Sequence, residues 1–364
     1  MRRLWRQVLD KVSPYEAGKP LEELQAELGV GELIRLSANE SPEGPSPRVV
    51  EALSQEAASA HLYPDGGGTA LRQALSRRLG VPPEWIILGN GADELLQLIG
   101  WAAFEPGDEV VIPQPSFEPY GSVTILMGAT PVWSPINNYR IDLDDCAKRL
   151  TPRTKAFILC SPHNPCGTII SRRELSGFLA RLGDDPPLVI LDEAYRDFCD
   201  DPDCQDGVAL LREHPRVIAL RTFSKIAGLA GLRVGYGVAR TDVIEMLNRV
   251  RAPYNVNRLA QAAAVAALED QAHWELTRSV VREGRLFLRV ELERRGLSVA
   301  PSHANFLLVK VGPQAGALRQ SLERAGVLVR DGAVVGFPEH LRISIGTRAK
   351  NRKLLEALDR IRPD

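Results

Sequence analysis

The stretch RVIALRTFSKIAGLAGLR, residues 216–233, combines an apolar run with a lysine just beyond it. The segment RVIALRTFSK (216–225) predicts an apolar strand with Lys225 at its end. Lysine is the rarer cation here, since only eight of the 45 Lys and Arg residues are lysines. An amine among apolar neighbours has a lowered pKa and can attack a carbonyl carbon. From this stretch alone, Lys225 is either such a nucleophile or a surface lysine in a loop.

Upstream segments repeat the scheme of an apolar strand followed by polar residues. TKAFILCSPHNPCGT (154–168) runs into a loop that contains Asn164, and PPLVILDEAYRDF (186–198) ends with Asp192 and Tyr195. Helical segments separate these strands, which predicts a mostly parallel sheet with helices on its faces. Ligands of such sheets bind at the carboxyl ends of the strands. The shared position of these residues favours the nucleophile interpretation of Lys225.

The segment IILGNGADELLQLIGWAAF (86–104) predicts a strand, a glycine-rich turn and a helix. Ala92 and Asp93 fall at the start of that helix, where free N–H groups and the helix dipole favour an anion. The spacing is neither GxGxxG nor that of a P-loop, so it does not specify a nucleotide. Many α/β turns look similar, and this signal is weak alone.

Five further residues are candidates, each with a second interpretation. Phe117 follows a strand and either stacks on a flat ligand or packs its loop against the core. Asn39 ends a short strand and either contacts a ligand or forms a turn. Tyr63 precedes a Pro-Asp-Gly turn that presents its ring at the surface or to a partner chain. Arg330 and Arg342 lie on or near apolar strands and pair with an anionic ligand or form structural salt bridges.

Composition excludes several classes of protein. A hydrophobic content of 44%, a charged content of 25% and a net charge of -1 describe a globular chain without a basic surface for nucleic acid. No apolar run reaches the about 20 residues of a membrane span. The start MRRLWRQVLDKV lacks the apolar core of a secretory signal. Five cysteines without CxxC spacing indicate reduced thiols and a cytoplasmic location, and the six histidines show no metal-binding spacing.

A chain of 364 residues predicts more than one domain. Residues 1–36 are expected to form an N-terminal arm that begins with a short amphipathic helix and packs with a small domain. The large domain is predicted over residues 37–254. After about residue 254 the strand–helix alternation changes phase, which predicts a smaller α+β domain over residues 255–364.

The joint set of motifs resembles the histidinol-phosphate aminotransferase family of fold-type I, class II enzymes, which depend on pyridoxal 5'-phosphate. The resemblance covers essentially the whole chain. It rests on nine segments in the family's order: SPYEAGKPLEELQAELG, LSANESPEGPSP, YPDG, GNGADE, PSFEPY, SPHNPCGT, LDEAYRDF, TFSKIAGLAGLRVGY and LRISIGT. It implies a large domain around a mostly parallel sheet and a smaller α+β domain.

The resemblance also implies catalytic roles. Lys225 would hold the cofactor covalently and move a proton between the substrate Cα and the cofactor. Asp192 would pair with the pyridine nitrogen, and Asn164 and Tyr195 would hydrogen-bond the ring oxygen. Phe117 would stack on the ring face.

The cofactor phosphate would be held by residues from three parts of the chain, including one from a partner subunit. The partner's contribution implies a homodimer with shared active sites. The implied phosphate ligands are Ala92, Asp93, Thr222, Ser224, Arg233 and, from the other subunit, Tyr63.

On the substrate side, Arg330 and Arg342 would bind the substrate phosphate, Tyr15 would close over it, and Asn39 is a further candidate contact. The implied reaction transfers the amino group of L-histidinol phosphate to 2-oxoglutarate, giving imidazole acetol phosphate and glutamate in histidine biosynthesis. Two alternatives on the same scaffold are an aromatic amino-acid aminotransferase and a threonine-phosphate decarboxylase.

Three positions depart from the family's usual pattern. His163 stands where asparagine is usual and Cys166 where threonine is usual, on either side of Asn164. Phe117 stands where tyrosine is frequent, which removes a hydroxyl and keeps the ring face. We expect these departures to tune the site without abolishing its chemistry.

Overall fold

The structure is a computed structural model that describes residues 4–14 and 19–361. These residues form two β-sheets with helices packed around them. The strands in chain order are β1 (Ile34–Leu36), β2 (Ile86–Gly89), β3 (Glu109–Gln114), β4 (Thr130–Pro135), β5 (Thr154–Cys160), β6 (Leu188–Asp192), β7 (Val217–Thr222), β8 (Gly235–Val238), β9 (Ser298–Val299), β10 (Phe306–Lys310), β11 (Val327–Asp331) and β12 (His340–Ser344).

The α-helices in chain order are α1 (Leu21–Leu28), α2 (Pro47–Ala57), α3 (Thr69–Leu79), α4 (Ala92–Ala103), α5 (Pro119–Leu126), α6 (Leu143–Lys148), α7 (Arg172–Ala180), α8 (Gly207–Leu210), α9 (Thr241–Val250), α10 (Arg258–Glu269), α11 (Gln271–Arg294), α12 (Ala315–Arg324) and α13 (Arg348–Ile361). Short 3-10 helices cover Gln7–Lys11, Pro83–Trp85, Arg196–Phe198, Ala230–Leu232 and Ala333–Val335. The amphipathic helix expected at the start of the chain is therefore a single 3-10 segment. None of the described helices is long and apolar enough to cross a bilayer.

The larger sheet has the strand order β2-β8-β7-β6-β5-β3-β4. Strands β3, β4, β5, β6 and β7 pair in parallel, and β8 runs antiparallel to both of its neighbours. The prediction of a mostly parallel sheet is confirmed. Because β8 enters from the opposite direction, its first residue lies beside the last residues of β2 and β7.

Both faces of this sheet are covered, as expected for parallel strands joined by helices. Along β5, Phe157 and Leu159 belong to one core cluster, whereas Ala156 and Ile158 belong to the other. This alternation follows from the two-residue period of a strand. With both faces closed, the exposed edge at the strand ends is where a ligand can reach the sheet.

The smaller sheet has the order β1-β11-β12-β10-β9 and joins distant parts of the chain. Ile34 of β1 pairs in parallel with Val327 of β11. Strand β12 pairs antiparallel with β10 and with β11. The N-terminal arm therefore supplies an edge strand to a sheet built from C-terminal residues. The domain boundaries at residues 36/37 and 254/255 stay predictions.

Polar side chains fix where several helices begin. Ser171 accepts a hydrogen bond from the Glu174 N–H at the start of α7, and the Glu174 carboxylate accepts one from the Ser171 N–H. This reciprocal arrangement satisfies two N–H groups that a helix start leaves free. Asn257 caps α10 in a similar way by accepting from the Ala260 N–H.

Candidate active site

The carboxyl ends of several strands of the larger sheet meet at one edge. Asp192 at the end of β6 pairs with Cys160 at the end of β5. Gly235 at the start of β8 lies opposite both Gly89, the end of β2, and Thr222, the end of β7. The loops that leave these strands therefore begin side by side, as expected for a ligand site in an α/β sheet.

Lys225 lies in the loop after β7 and retains only partial contact with solvent. Its Nζ is 5.6 Å from the centroid of the Tyr195 ring. Burial, with a smaller contribution from the nearby Arg342 guanidinium, lowers the pKa of Lys225 to about 8 against the opposite effect of Asp93 and Glu40. The amine is therefore a better nucleophile and base near neutral pH than an ordinary lysine.

Asp192 is a buried carboxylate, with a relative exposure of 5%. Its Oδ2 accepts a hydrogen bond from the Tyr120 hydroxyl at 2.6 Å, and its Oδ1 accepts one from the Ala194 N–H at 3.0 Å. Burial raises the pKa of Asp192, although both hydrogen bonds and the charge of Lys225 act to lower it. A carboxylate in this state favours a cation placed against it.

The Tyr195 hydroxyl is held by the side chain of Asn39, whose Nδ2 donates to it at 3.1 Å. Asn39 is itself buried and has a left-handed backbone, with φ of 53°. Its main-chain N–H donates to Ser344 Oγ at 2.8 Å, and its carbonyl accepts from Asn305 Nδ2 at 3.0 Å. Burial raises the pKa of Tyr195 to about 12, so the phenol is a neutral hydrogen-bond donor at physiological pH.

Arg342 lies on β12 of the smaller sheet and reaches the larger sheet's site. Its Nη1 donates to Asn164 Oδ1 at 2.7 Å and its Nη2 donates to the Ser37 carbonyl at 3.0 Å. The Nε atom is buried and has no hydrogen-bond partner. Burial lowers the pKa of Arg342, and so does the charge of Arg330, its partner in the strand register.

Arg330 and Arg342 are paired in the strand register, which brings two cations close together. Within residues 4–14 and 19–361, no salt bridge joins either guanidinium to a carboxylate. Two buried or half-buried cations side by side are costly unless an anion is bound between them. The interpretation of Arg342 as a member of a structural salt bridge is therefore wrong within the described residues.

The turn after β2 leads directly into the start of α4. Gly91 has a left-handed φ of 83° and precedes Ala92, the first residue of α4. A Cβ at Gly91 would lie 2.6 Å from a terminal nitrogen of Arg233. That same nitrogen donates to Asp93 Oδ2 at 2.9 Å. Since both side chains of this ion pair are about half exposed, the pair holds Arg233 in place more than it stabilises the fold.

Strand β8 begins beside the same turn. A Cβ at Gly235 would lie 2.8 Å from the Ala92 nitrogen, so β8 passes directly beneath the start of α4. Thr222 Oγ1 accepts the Ser224 N–H at 3.0 Å and thereby shapes the turn that leads to Lys225. The Thr222 hydroxyl therefore already has a structural partner.

Two predicted residues lie apart from these contacts, and a third is outside the part of the chain that the structure describes. Phe117 is half-buried and meets Tyr120 edge-on, with 5.5 Å between ring centroids. Tyr63 is 78% exposed and stacks on Tyr254 at 4.7 Å. Tyr15 lies outside the described residues.

The sequence did not reveal the residues that hold the predicted site residues in place through hydrogen bonds. Tyr120 is one of these supporting residues, because its hydroxyl donates to the Asp192 carboxylate and orients it. Ser344 and Asn305, which fix Asn39, were not identified. The available signal for Tyr120 was its place beside Phe117 in PSFEPY, just past a predicted strand.

The two unusual residues beside Asn164 are both buried. Burial lowers the pKa of His163 to about 4, so its ring is neutral, and neither ring nitrogen has a hydrogen-bond partner. Burial raises the pKa of the Cys166 thiol, which is therefore protonated. Asn164 therefore has two uncharged neighbours in the chain, His163 and Cys166.

A sequence model of the family described as aminotransferase class I and II matches residues 31–358. The chain belongs to this family. Its individual relatives include the histidinol-phosphate aminotransferase of Moorella thermoacetica, which is 45% identical over 359 residues, or 98% of this chain and 92% of that protein. That of Symbiobacterium thermophilum is 43% identical over 97% of both chains. These relatives place the chain among the histidinol-phosphate aminotransferases.

Solved structures that resemble this chain include further histidinol-phosphate aminotransferases. The histidinol-phosphate aminotransferase from Sinorhizobium meliloti, determined in complex with pyridoxal-5'-phosphate, superposes with a TM-score of 0.91 at 29% identity, covering 99% of this chain and 98% of that one. The enzyme from Clostridium acetobutylicum superposes with a TM-score of 0.84 at 26% identity, covering 90% of this chain and 99% of that one.

Proposed function

We propose that the chain is a pyridoxal-phosphate-dependent enzyme that transfers the amino group of L-histidinol phosphate to 2-oxoglutarate. The products would be imidazole acetol phosphate and glutamate, in a step of histidine biosynthesis. The observation that carries this proposal is Lys225, an amine of lowered pKa at the same sheet edge as the buried Asp192 carboxylate, in a chain whose relatives bear this activity by name.

The residues present fit this cofactor on their own chemistry. Asp192 is a buried carboxylate whose raised pKa suits a cation, and a protonated ring nitrogen is such a cation. The turn at Gly91 and the start of α4 suit a phosphate, because the first N–H groups of a helix have no acceptor within it. The two features lie on either side of Lys225 in the strand order.

When bound, pyridoxal phosphate supplies an electron-accepting ring that acidifies the substrate Cα–H bond. Lys225 would hold the cofactor through its amine and move the proton at the substrate Cα. Asp192 would keep a proton on the ring nitrogen, and Tyr120 would hold the carboxylate in place. Asn164 and Tyr195 would hydrogen-bond the ring oxygen, and Phe117 would cover the ring face.

At the phosphate end, the main-chain N–H groups of Ala92 and Asp93 would bind the phosphate oxygens. Ser224 and Arg233 would add a hydroxyl and a cation, and Thr222 would shape the turn between them. We further propose a homodimer in which the partner subunit's Tyr63 completes this site. The high exposure of the ring supports this, because a large aromatic side chain is costly to leave in water.

On the substrate side, Arg330 and Arg342 would bind the substrate phosphate. A buried guanidinium without a carboxylate partner gains most from an anion, and its planar donors match phosphate. Asn39 would keep Tyr195 in place next to the substrate, and Tyr15 would close over it. We also propose a cytoplasmic location, because the five unpaired cysteines suit a reducing compartment.

A substrate panel tests the proposal. The purified, cofactor-loaded protein is assayed with histidinol phosphate, phenylalanine, tyrosine and threonine phosphate, each with 2-oxoglutarate, and glutamate formation is measured. We expect histidinol phosphate to give the highest kcat/KM. A higher kcat/KM for phenylalanine or tyrosine would make the chain an aromatic amino-acid aminotransferase. Release of carbon dioxide from threonine phosphate without glutamate would identify a decarboxylase.

A further inference from the structure

The tight turn after β4 holds a tyrosine in a conformation that tyrosine rarely adopts. Asn137 and Arg140 exchange both main-chain hydrogen bonds at 2.8 Å, so Asn138 and Tyr139 form the turn between them. Their φ angles are 51° and 65°, both in the left-handed region. Such a turn favours asparagine at its first position and glycine at its second. For a bulky side chain this conformation is costly, and contacts elsewhere in the protein hold Tyr139 in it.

The Tyr139 side chain reaches the smaller sheet. Its hydroxyl shares a 3.0 Å hydrogen bond with Nε2 of His340, the first residue of β12. The Tyr139 ring stacks on Phe337 with 5.8 Å between centroids and meets the His340 ring edge-on at 5.7 Å. The rings of Phe337 and His340 also meet each other, at 5.3 Å. These three rings join the turn after β4, an edge strand of the larger sheet, to a strand of the smaller sheet.

The strand that His340 opens also carries residues of the candidate active site. Alternate residues of a strand point to the same face, so His340 shares a face of β12 with Arg342 and Ser344. Arg342 Nη1 donates to Asn164 Oδ1 at 2.7 Å, and Ser344 Oγ accepts the Asn39 N–H at 2.8 Å. Arg342 therefore reaches the site from a strand that is held on this face at its first residue by His340 and at its last by Ser344.

The main chain of Tyr139 is tied to the loop 161–168, which carries Asn164. Thr168 Oγ1 donates to the Tyr139 carbonyl at 2.6 Å. The Thr168 carbonyl in turn accepts the N–H of His163 at 2.7 Å, which closes the loop around Asn164. One tyrosine thus contacts the Asn164 loop through its main chain and the strand of Arg342 through its side chain.

We propose that Tyr139 and His340 are positioning residues for the substrate-phosphate site, because their hydrogen bond sets the distance between β12 and the Asn164 loop. This inference rests on the proposed function, in which Arg342 binds the substrate phosphate. The Arg342 side chain spans that distance, since it is attached to β12 and donates to Asn164. A shift of about 1 Å between the two would break this hydrogen bond and turn the guanidinium away from the phosphate. The contacts of Tyr139 offset the cost of its backbone conformation.

The test uses the full-length, cofactor-loaded protein and two measurements: the calorimetric Kd of inorganic phosphate, and KM and kcat for histidinol phosphate. Because the bound cofactor fills its own phosphate site, added phosphate reports on the substrate site. Tyr139→Phe removes only the hydroxyl and keeps the ring on Phe337. It should raise Kd and KM by about fivefold, as expected for one lost hydrogen bond, and leave kcat within about twofold.

Variants of the histidine separate the hydrogen bond from packing. His340→Leu should raise Kd and KM as much as Tyr139→Phe does. His340→Gln should stay near the wild type, because its amide can still bond the Tyr139 hydroxyl. The double variant Tyr139→Phe with His340→Leu should lose no more affinity than either single variant, since both remove the same hydrogen bond.

Arg140→Ala is the matched control in the same turn. Its side chain pairs with Glu174 at 2.9 Å, and both side chains are about half exposed, so its loss should change neither Kd nor KM. The proposal is overturned if Tyr139→Phe leaves the Kd of phosphate unchanged, whatever its effect on thermal stability. It is equally overturned if the two single effects add in the double variant. A protein that does not turn over histidinol phosphate would refute the proposed function, and the phosphate titration would still decide the role of Tyr139.

Discussion

Two groups of buried charges lie side by side at the ends of β6 and β7 and differ in how their charges are balanced. Glu193 accepts from Arg221 Nε at 2.8 Å and from the Gly207 N–H at 2.7 Å. Arg221 also donates to Asp206 at 2.7 Å, so its charge is matched by two carboxylates. Asp192, the preceding residue, has only neutral hydrogen-bond donors. Successive strand residues point to opposite faces, which separates the two groups.

This difference in charge balance separates a group that stabilises the fold from the charged residues of the candidate active site. The first group, made of Glu193, Arg221 and Asp206, balances its charges within the chain. It stabilises the fold only while every member is present, because the loss of one leaves a buried charge without its partner. In the described residues, Lys225 and Arg342 have no carboxylate in salt-bridge contact, and burial lowers the pKa of each. Such charges are costly in the protein alone and are balanced when a charged ligand binds. Substitutions should therefore affect stability in the first group and activity in the second.

The largest expected effect is on activity. Lys225→Ala should remove the visible absorption band of the lysine-bound cofactor and reduce transamination by about 10⁴-fold, because both the covalent attachment and the base are lost. Absorption spectra and kcat measure the two effects. Lys155→Ala is the control, since Lys155 pairs with Asp108 at 3.5 Å on the surface. An unchanged spectrum in the Lys225 variant would contradict the assignment.

Arg221→Met should have the largest effect on stability. Removing Arg221 leaves Glu193, whose side chain has no exposure, with only the more distant Arg196 at 4.0 Å as a cationic partner within the described residues, at a cost of about 3–5 kcal/mol. The free energy of unfolding is measured by chemical denaturation. Arg153→Met breaks the exposed pair with Glu109 and should cost about 1 kcal/mol or less. Equal losses of unfolding free energy in the two variants would show that the Arg221 group stabilises the fold no more than the Arg153–Glu109 pair does.

Arg330→Ala should act on substrate choice. Its loss should weaken kcat/KM for histidinol phosphate by about 2–4 kcal/mol and change that for phenylalanine far less, because only the first carries a phosphate. Arg324→Ala is a matched control on the exposed face of α12. If both substrates lose equally, Arg330 does not read the phosphate.

The lowered pKa of Lys225 makes the stability of the cofactor-free protein depend on pH. The pKa is about 8 in the folded chain and has an ordinary value of 10.5 when unfolded. Below about pH 8 the amine is charged in both states and folding bears the full burial cost. Between the two values the folded amine is neutral while the unfolded one stays protonated, so this cost falls as pH rises.

Lys225→Met in the cofactor-free protein should therefore be more stable than the wild type by up to about 3 kcal/mol at pH 7, and this gap should close toward pH 10. Denaturation curves across that range measure it. Lys155→Met should show no such trend, because its side chain is 39% exposed. A gap that stays constant with pH would show that methionine packing, and not the charge of Lys225, causes the difference.

The smallest effect is expected from Tyr120→Phe, which removes the hydroxyl bonded to Asp192. Loss of one hydrogen bond to a carboxylate should cost about 1–2 kcal/mol in kcat/KM. The fold should be retained because the ring still packs against Phe117. Retention of full activity, with a shift only in thermal stability, would limit Tyr120 to a packing role.

Much of the site was predictable because its residues follow strand ends. Asn164, Asp192, Tyr195 and Lys225 each come after an apolar run, and the contiguous pattern is enough to identify where a parallel strand stops. The direction of β8 was not predictable in this way, since parallel and antiparallel strands share the same short apolar pattern. Nor was the pairing of β1 with β11, which joins residues about three hundred positions apart.

The sequence by itself determined the strand–helix alternation, the glycine-rich turn before α4 and the lysine after β7, because each depends on neighbouring residues. Only the tertiary structure decided which charges are balanced. Glu193 and Asp192 are adjacent in the chain, yet one is paired with Arg221 and the other faces Lys225 and Tyr120. The reason is physical: burial and charge pairing are set by contacts between distant segments, which local periodicity does not encode.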